Sequence, residues 1–122
     1  MNQLESEHQQ ALFQWAGMMQ AVHPELAMMF HVPNGGKRDK ATAIRLKAEG
    51  VKAGVPDIVL PVARGNFHSL WIELKVDGGK PSPDQLEWQK NLRREGHCAE
   101  ICYGWDAARQ IIEKYLKLPK GE

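Results

Sequence analysis

Apolar residues recur at helical spacing near the N-terminus, with Leu4, Ala11, Leu12, Trp15, Met19 and Val22 on one face. Ser6 and Gln9 read as a capping box opening that helix, and His23-Pro24 closes it. The run Met28 to Val32 ends at Pro33-Asn34-Gly35-Gly36, which predicts a brief strand feeding a loop. Asp39 caps a second helix through Ala48, with Gly50 just beyond its end. Two runs, Val55 to Leu60 and Leu70 to Val76, flank Gly65-Asn66 and predict a β-hairpin. Ser82-Pro83-Asp84-Gln85 combines a Ser cap, Pro at the first helical position and Gln at the third, so a helix runs from there to Gly96. A strand at Cys98 to Tyr103 and a helix from Asp106 to about Leu118 complete the series.

The order is α, β, α, β, β, α, β, α. A hairpin gives antiparallel pairing, and a helical crossover between Ser82 and Gly96 permits a parallel one. The expected fold is α/β, a small mixed β-sheet flanked by helices. The 122 residues show no repeat, low-complexity tract or linker, so residues 1–122 are expected to form a single domain. Four Trp, three Phe and 43% hydrophobic residues exclude a disordered chain. No apolar run approaches the roughly 18–20 residues of a membrane span. The polar, acidic N-terminus reads as neither signal nor transit peptide, which points to the cytoplasm.

The formal net charge is only +1, yet the stretch from Lys37 to Lys52 carries a local +4. Alone, such a cluster is more often a solvated helix face than a nucleic-acid contact. Cys98 and Cys102 lie about 13 Å apart if they share a strand. That exceeds disulfide reach, and their surroundings cannot converge four zinc ligands, so buried reduced thiols are expected.

In the alternating run, Leu70, Ile72, Leu74 and Val76 point one way while Trp71, Glu73 and Lys75 point the other. A three-residue hairpin loop centred on Gly65 makes paired residue numbers sum to 130 and sets Asp57 opposite Glu73. A two-residue loop would turn Asp57 to the wrong face. With the first register, two carboxylates and an ammonium converge. Hard carboxylate oxygens suit Mg²⁺, which keeps several waters and takes a phosphate oxygen from its substrate. A lone Glu-x-Lys is weak; Pro56-Asp57 followed within one hairpin by Glu73-x-Lys75 is considerably stronger.

That Pro-Asp … Glu-x-Lys pattern resembles the PD-(D/E)XK nuclease superfamily, with its restriction-endonuclease-like core. The wider string resembles the VRR-NUC branch. The pieces that carry it are SEHQQALFQW, HVPNGGKR, LKAEGVKAGVPDIVLPVARG, LWIELK, SPDQLEWQKNLRREGH and CYGWDAARQIIEKYL, in family order over nearly the whole chain. The small stand-alone phage and bacterial members look most similar, which would place the protein in a bacterial or phage-infected cell. The resemblance implies that Asp57 and Glu73 hold Mg²⁺ or Mn²⁺, with the backbone carbonyl of Leu74. It implies that Lys75 positions or activates water, and that Glu7 of the first helix completes the acidic site. Gln85 is expected near the lysine or the scissile phosphate, although its capping-box role competes with that use. Asn34, Lys37 and Arg38 match a loop expected near DNA, and Lys80 joins them from the loop after Glu-x-Lys.

The resulting expectation is a Mg²⁺- or Mn²⁺-dependent endodeoxyribonuclease acting on branched DNA, in the manner of a Holliday-junction resolvase. Cutting two opposed strands of a four-way junction calls for a homodimer. The alternatives are a flap or nick nuclease, and a non-catalytic DNA-binding module of the same fold. The second alternative would be favoured by loss of Asp57, Glu73 or Lys75, and all three are present.

Overall fold

The computed structural model describes residues 2–33 and 38–121. Four strands, β1 (Phe30–His31), β2 (Ile58–Leu60), β3 (Leu70–Lys75) and β4 (Cys98–Tyr103), form one sheet in the order β1-β2-β3-β4. The first two pairings are antiparallel and the third is parallel. The helices are α1 (Gln3–Met18), α2 (Lys40–Ala48), α3 (Pro83–Arg94) and α4 (Trp105–Leu116). Short 3₁₀ turns at Met19–Ala21 and Pro24–Met28 lead from α1 into the sheet.

The α/β architecture follows the predicted order, but α1 begins earlier than the sequence suggests. Its cap is Asn2, whose side chain accepts from the Glu5 amide at 2.8 Å and donates to the Glu5 carboxylate at 2.9 Å. Ser6 lies one turn inside, where its hydroxyl accepts from Gln10. Asn2 is the cap because its side chain satisfies the Glu5 amide, an orphan donor one turn ahead of those that Ser6 would have met. The apolar stripe also overshoots. Leu12 and Ala16 are buried, whereas Leu4 and Val22 are 52% and 63% exposed. Periodicity identifies a face but not where its packing partner stops.

On one side of the sheet, α1 and α4 cover Ile58, Leu60, Leu70, Ile72 and Leu74 with Leu12, Ala108, Ile112 and Tyr115. Each fully buried Leu or Ile there contributes about 1.5–3 kcal/mol of transfer free energy. The Tyr115 hydroxyl, buried with them, donates to the carbonyl of Val62 at 2.6 Å. On the other side α3 packs through Gln89 and Leu92, both buried. The Arg93 guanidinium donates twice to the Ala99 carbonyl, at 3.0 and 2.7 Å.

The hairpin register is the one that sets Asp57 across from Glu73: Ile58 pairs with Ile72, Val59 with Trp71 and Leu60 with Leu70. Its turn differs from the expected three-residue loop. Arg64 and Phe67 pair around a two-residue Gly65-Asn66 turn, one residue out of step with the ladder. The step is absorbed before the turn, where the Val62 amide donates to the Leu60 carbonyl around Pro61.

α4 starts at Trp105 without a side-chain cap of its own. His8 of α1 supplies one, its Nδ1 accepting from the Trp105 amide at 3.0 Å. Both cysteines are free, Cys102 buried and Cys98 half-buried. Burial, then Glu100 and Cys98, push the Cys102 thiol up to about 12. Among the described residues no helix is long and apolar enough to cross a membrane.

Candidate active site

Asp57 stands just ahead of β2, behind the fully buried Pro56. Its carbonyl accepts from the Val32 amide at 2.7 Å and from His31 Nδ1 at 2.9 Å, so the His31 ring must carry its proton on Nδ1. These two bonds fix the backbone, and the side chain is fixed separately. Asp57 Oδ2 accepts from the Leu74 amide at 2.9 Å, reaching β3 beyond the end of the β2 ladder. In an extended strand the N–H and C=O of one residue leave on the same edge, so the Leu74 carbonyl also faces the Asp57 side.

Glu73 is 2% exposed, about as buried as its neighbour Ile72 at 1%. Its Oε2 accepts from Gln85 Nε2 at 3.3 Å and lies 3.8 Å from Lys75 Nζ. Its Oε1 is buried without a hydrogen-bond partner. The carboxyl is pushed up to about 9, first by burial, then by the charge of the neighbouring Asp57 carboxylate. Lys75 opposes that rise, and Glu5 adds to it from α1. Such a group is protonated at neutral pH unless a cation arrives.

Gln85 completes the expected capping box, and its free amide group meets Glu73, where the resemblance implied the lysine or the scissile phosphate. Its Oε1 accepts from the Ser82 amide at 2.9 Å while Ser82 Oγ accepts from the Gln85 amide at 3.2 Å, completing the capping box. That leaves Nε2 directed at Glu73, so capping holds the amide in place for the contact. The approach of α3 depends on Gly54, whose backbone has φ +85°. A Cβ at Gly54 would lie 2.6 Å from the Asp84 carbonyl carbon, closer than any side chain tolerates.

The remaining predicted residues are less concentrated. Glu7 is exposed on α1, whereas Glu5 is half-buried and is the α1 carboxylate whose charge reaches Glu73. The two are separated by about 200° around a helix, at 3.6 residues per turn. Arg38 is exposed and donates to the Pro33 carbonyl at 3.3 Å. Lys80 is exposed between β3 and α3. Asn34 and Lys37 lie outside the described residues. Trp71 is a packing residue, as expected; its Nε1 donates to Ser69 Oγ at 2.9 Å and its ring meets His97 edge-on. The sequence marks His31, beside the turn that follows it, as the one histidine worth watching but gives it no role, and it does not single out Glu5. The turn after His31 is the one signal for the first, and the Asn2 cap is the signal for the second.

The donors present fit a hard divalent cation. The charge of Asp57 helps hold a proton on buried Glu73, and one Glu73 oxygen lacks a partner, an arrangement that a Mg²⁺ or Mn²⁺ ion would satisfy. Among the described residues no group of three or more His, Cys, Asp and Glu side chains converges. Two side-chain oxygens and a backbone carbonyl remain, with waters and substrate oxygens to complete a shell.

An Asp at the head of one strand, a Glu-x-Lys on its antiparallel neighbour, a parallel fourth strand and a helix whose amide meets the Glu define a PD-(D/E)XK-like fold. Within that class, the model of the VRR-NUC domain matches residues 3–106. The chain belongs to the VRR-NUC family, whose domain is of nuclease type. A solved structure described as a VRR_NUC domain protein is 30% identical and superposes with a TM-score of 0.83, covering 100% of this chain and 95% of that one. No curated protein matches the sequence.

Proposed function

We propose that the chain is a Mg²⁺- or Mn²⁺-dependent endonuclease that hydrolyses phosphodiester bonds in branched DNA, four-way junctions above all, as a homodimer. The observation that carries this reading is Glu73, a buried carboxyl with an unpartnered oxygen, held between Asp57, Lys75 and Gln85. Burial of such a group costs stability unless a ligand compensates.

Asp57, Glu73 and the Leu74 carbonyl would hold the ion, which when bound lowers the pKa of a water and offsets charge on the phosphate. Asp57 is aimed by the Leu74 amide and Glu73 by Gln85, so neither needs to reorganise on binding. To hold the ion, Glu73 would have to lose the proton that burial keeps on it, and that proton would pass to solvent. Lys75, 3.8 Å from Glu73, would orient the attacking water and offset negative charge on the phosphate. Glu5 raises the local negative charge from α1, the helix from which the family resemblance implies an acidic residue. Arg38 and Lys80, with Asn34 and Lys37, would hold the DNA backbone.

Junction cleavage requires two equivalent sites facing opposed strands, hence a two-fold dimer. All four Trp are half-buried, so the surplus apolar surface lies elsewhere. Met18, Val22, Met28 and Phe30 are 47–76% exposed along one stretch of chain and supply a candidate interface.

The test incubates the protein with four-way-junction, flap, nicked and linear duplexes in Mg²⁺, Mn²⁺ or EDTA, with light scattering at the same concentration. Paired nicks on opposite junction strands by a dimer are expected, and mixing with Asp57→Ala chains should give single nicks. A 13.8 kDa monomer that cuts flaps but not junctions would overturn the junction and dimer reading. Absence of all metal-dependent cutting would overturn the nuclease reading itself.

A further inference from the structure

α2 buries none of its nine residues, and Ile44 on it is 60% exposed. Helices this short are marginal without tertiary packing. Between α2 and the chain that follows it lies a cleft of about 350 Å³. Leu46, Val51 and Ala53 give it apolar walls, and Arg38, Lys47 and Lys52 give it cations. None of the three cations makes an ion pair among the described residues. Apolar walls ringed by unpaired cations suit a ligand that is itself part flat and apolar, part anionic.

The cleft is tied to the nuclease site. Its wall residue Ala53 accepts from Trp88 Nε1 at 3.0 Å, and Gly54 presses on the backbone of Asp84 and Gln85. Gln85 in turn holds Glu73. Ala53 and Asp57 are four residues apart, at most about 13 Å of extended chain. The cleft is thus within reach of a DNA strand held at Asp57 and Glu73.

We infer that this cleft is a nucleotide subsite: it takes one unpaired, unstacked nucleotide of the strand flanking the scissile phosphate, its base against Leu46 and Val51 and its phosphates on Arg38, Lys47 and Lys52. The volume is at the lower end of small-ligand clefts, enough for a nucleoside and too small for a base pair within a duplex. The inference rests on the nuclease reading for its position in the strand. Binding of a nucleotide would also give α2 a packing partner that the described residues do not supply.

The test is DNA binding by fluorescence anisotropy in EDTA, so that nothing is cut. It compares a gapped duplex carrying 2-aminopurine opposite no base with an intact duplex of the same length. Leu46→Ser with Val51→Ser removes the apolar walls at residues that are not buried, and circular dichroism confirms the fold. The expected result is about tenfold weaker binding of the gapped DNA, with intact-duplex affinity unchanged within about twofold. Lys47→Ala with Lys52→Ala should weaken both and flatten the single-strand salt slope by about 0.7 for each phosphate no longer neutralised. In the wild type, 2-aminopurine fluorescence should rise on binding as the base leaves its stack, and α2 amides should become protected from exchange. Equally weakened binding of both DNAs after the apolar substitutions, or no weakening of either, would overturn the subsite. So would a change of oligomeric mass in place of a change in affinity, which would give the cleft to a second copy of the chain. Because cutting is not read, selectively weaker binding of gapped DNA together with no metal-dependent cleavage would keep the subsite and refute the nuclease.

Discussion

Glu73 on one face of β3 is buried as deeply as Ile72 and Leu74 on the other, and for opposite reasons. Ile72 and Leu74, on the side of α1 and α4, are 1% and 0% exposed, and their burial stabilises the fold. Glu73, between them on the other face, is 2% exposed, and its burial works against the fold. A strand can carry both because alternate side chains never meet. The comparison separates residues kept for packing from residues kept in spite of packing, and the second kind marks the site.

The largest effect expected from breaking this contrast is on chemistry. Asp57→Ala and Glu73→Ala should each lower metal-dependent cleavage by at least about a thousandfold with the circular dichroism spectrum unchanged, since each removes a ligand. On the packing face the outcome reverses. Ile72→Ala should lower unfolding free energy by about 2–5 kcal/mol in urea titrations, with specific activity of the folded fraction retained. Cleavage that survives Asp57→Ala, or a stability loss from Glu73→Ala like that of Ile72→Ala, would erase the distinction.

The pH dependence sharpens it. Glu73 has a folded-state pKa raised from 4.5 to about 9, so the folded protein binds this proton more tightly than the unfolded chain. The associated stability is fully present below about pH 4.5 and is lost as pH rises through about 9. In EDTA, Glu73→Gln should therefore be more stable than wild type by roughly 1–3 kcal/mol at pH 9, with the gap closing toward pH 5. A gap that widens as pH falls would contradict the sign.

Smaller effects are expected around the pair. Lys75→Ala should reduce turnover by about a hundredfold with little change in metal affinity, since a protonated amine cannot ligate Mg²⁺. Gln85→Glu can keep the capping box and so preserve the thermal midpoint within a few degrees, while placing a third carboxylate beside Glu73. Activity should fall and recover partly at higher Mg²⁺. Gln85→Ala should instead cost about 1 kcal/mol or less of stability by removing half of the box.

Much of this was legible in the sequence, for uneven reasons. The alternation of Leu70 to Lys75 and the Pro56-Asp57 pair placed the site on one face of a hairpin. The Asp57–Glu73 register followed from an assumed three-residue loop that the chain does not have. The true turn is tighter, and the extra residue around Pro61 restores the parity that the arithmetic needed. Local signals failed where a distant group decides. Nothing near Gly104 shows that His8 caps α4, and nothing between Glu5 and Glu7 shows which one turns toward Glu73. For Gln85, two uses that look exclusive on paper engage different atoms of one amide. The family resemblance and the residue-level reading agree on Asp57, Glu73 and Lys75; the resemblance alone gives Gln85 a site role and names Glu7 on α1, where it is the charge of Glu5 that reaches Glu73.

The decisive measurement is metal binding itself, by calorimetry with Mn²⁺ at pH 7 in buffers of different ionisation enthalpy. If Asp57 and Glu73 form the cation site, binding should release about one proton per ion, because Glu73 must give up the proton that burial holds on it. Glu73→Gln should abolish that release and weaken binding by about tenfold or more. Mn²⁺ binding of unchanged affinity in Glu73→Gln, with no proton released by the wild type, would contradict a metal site at the buried pair.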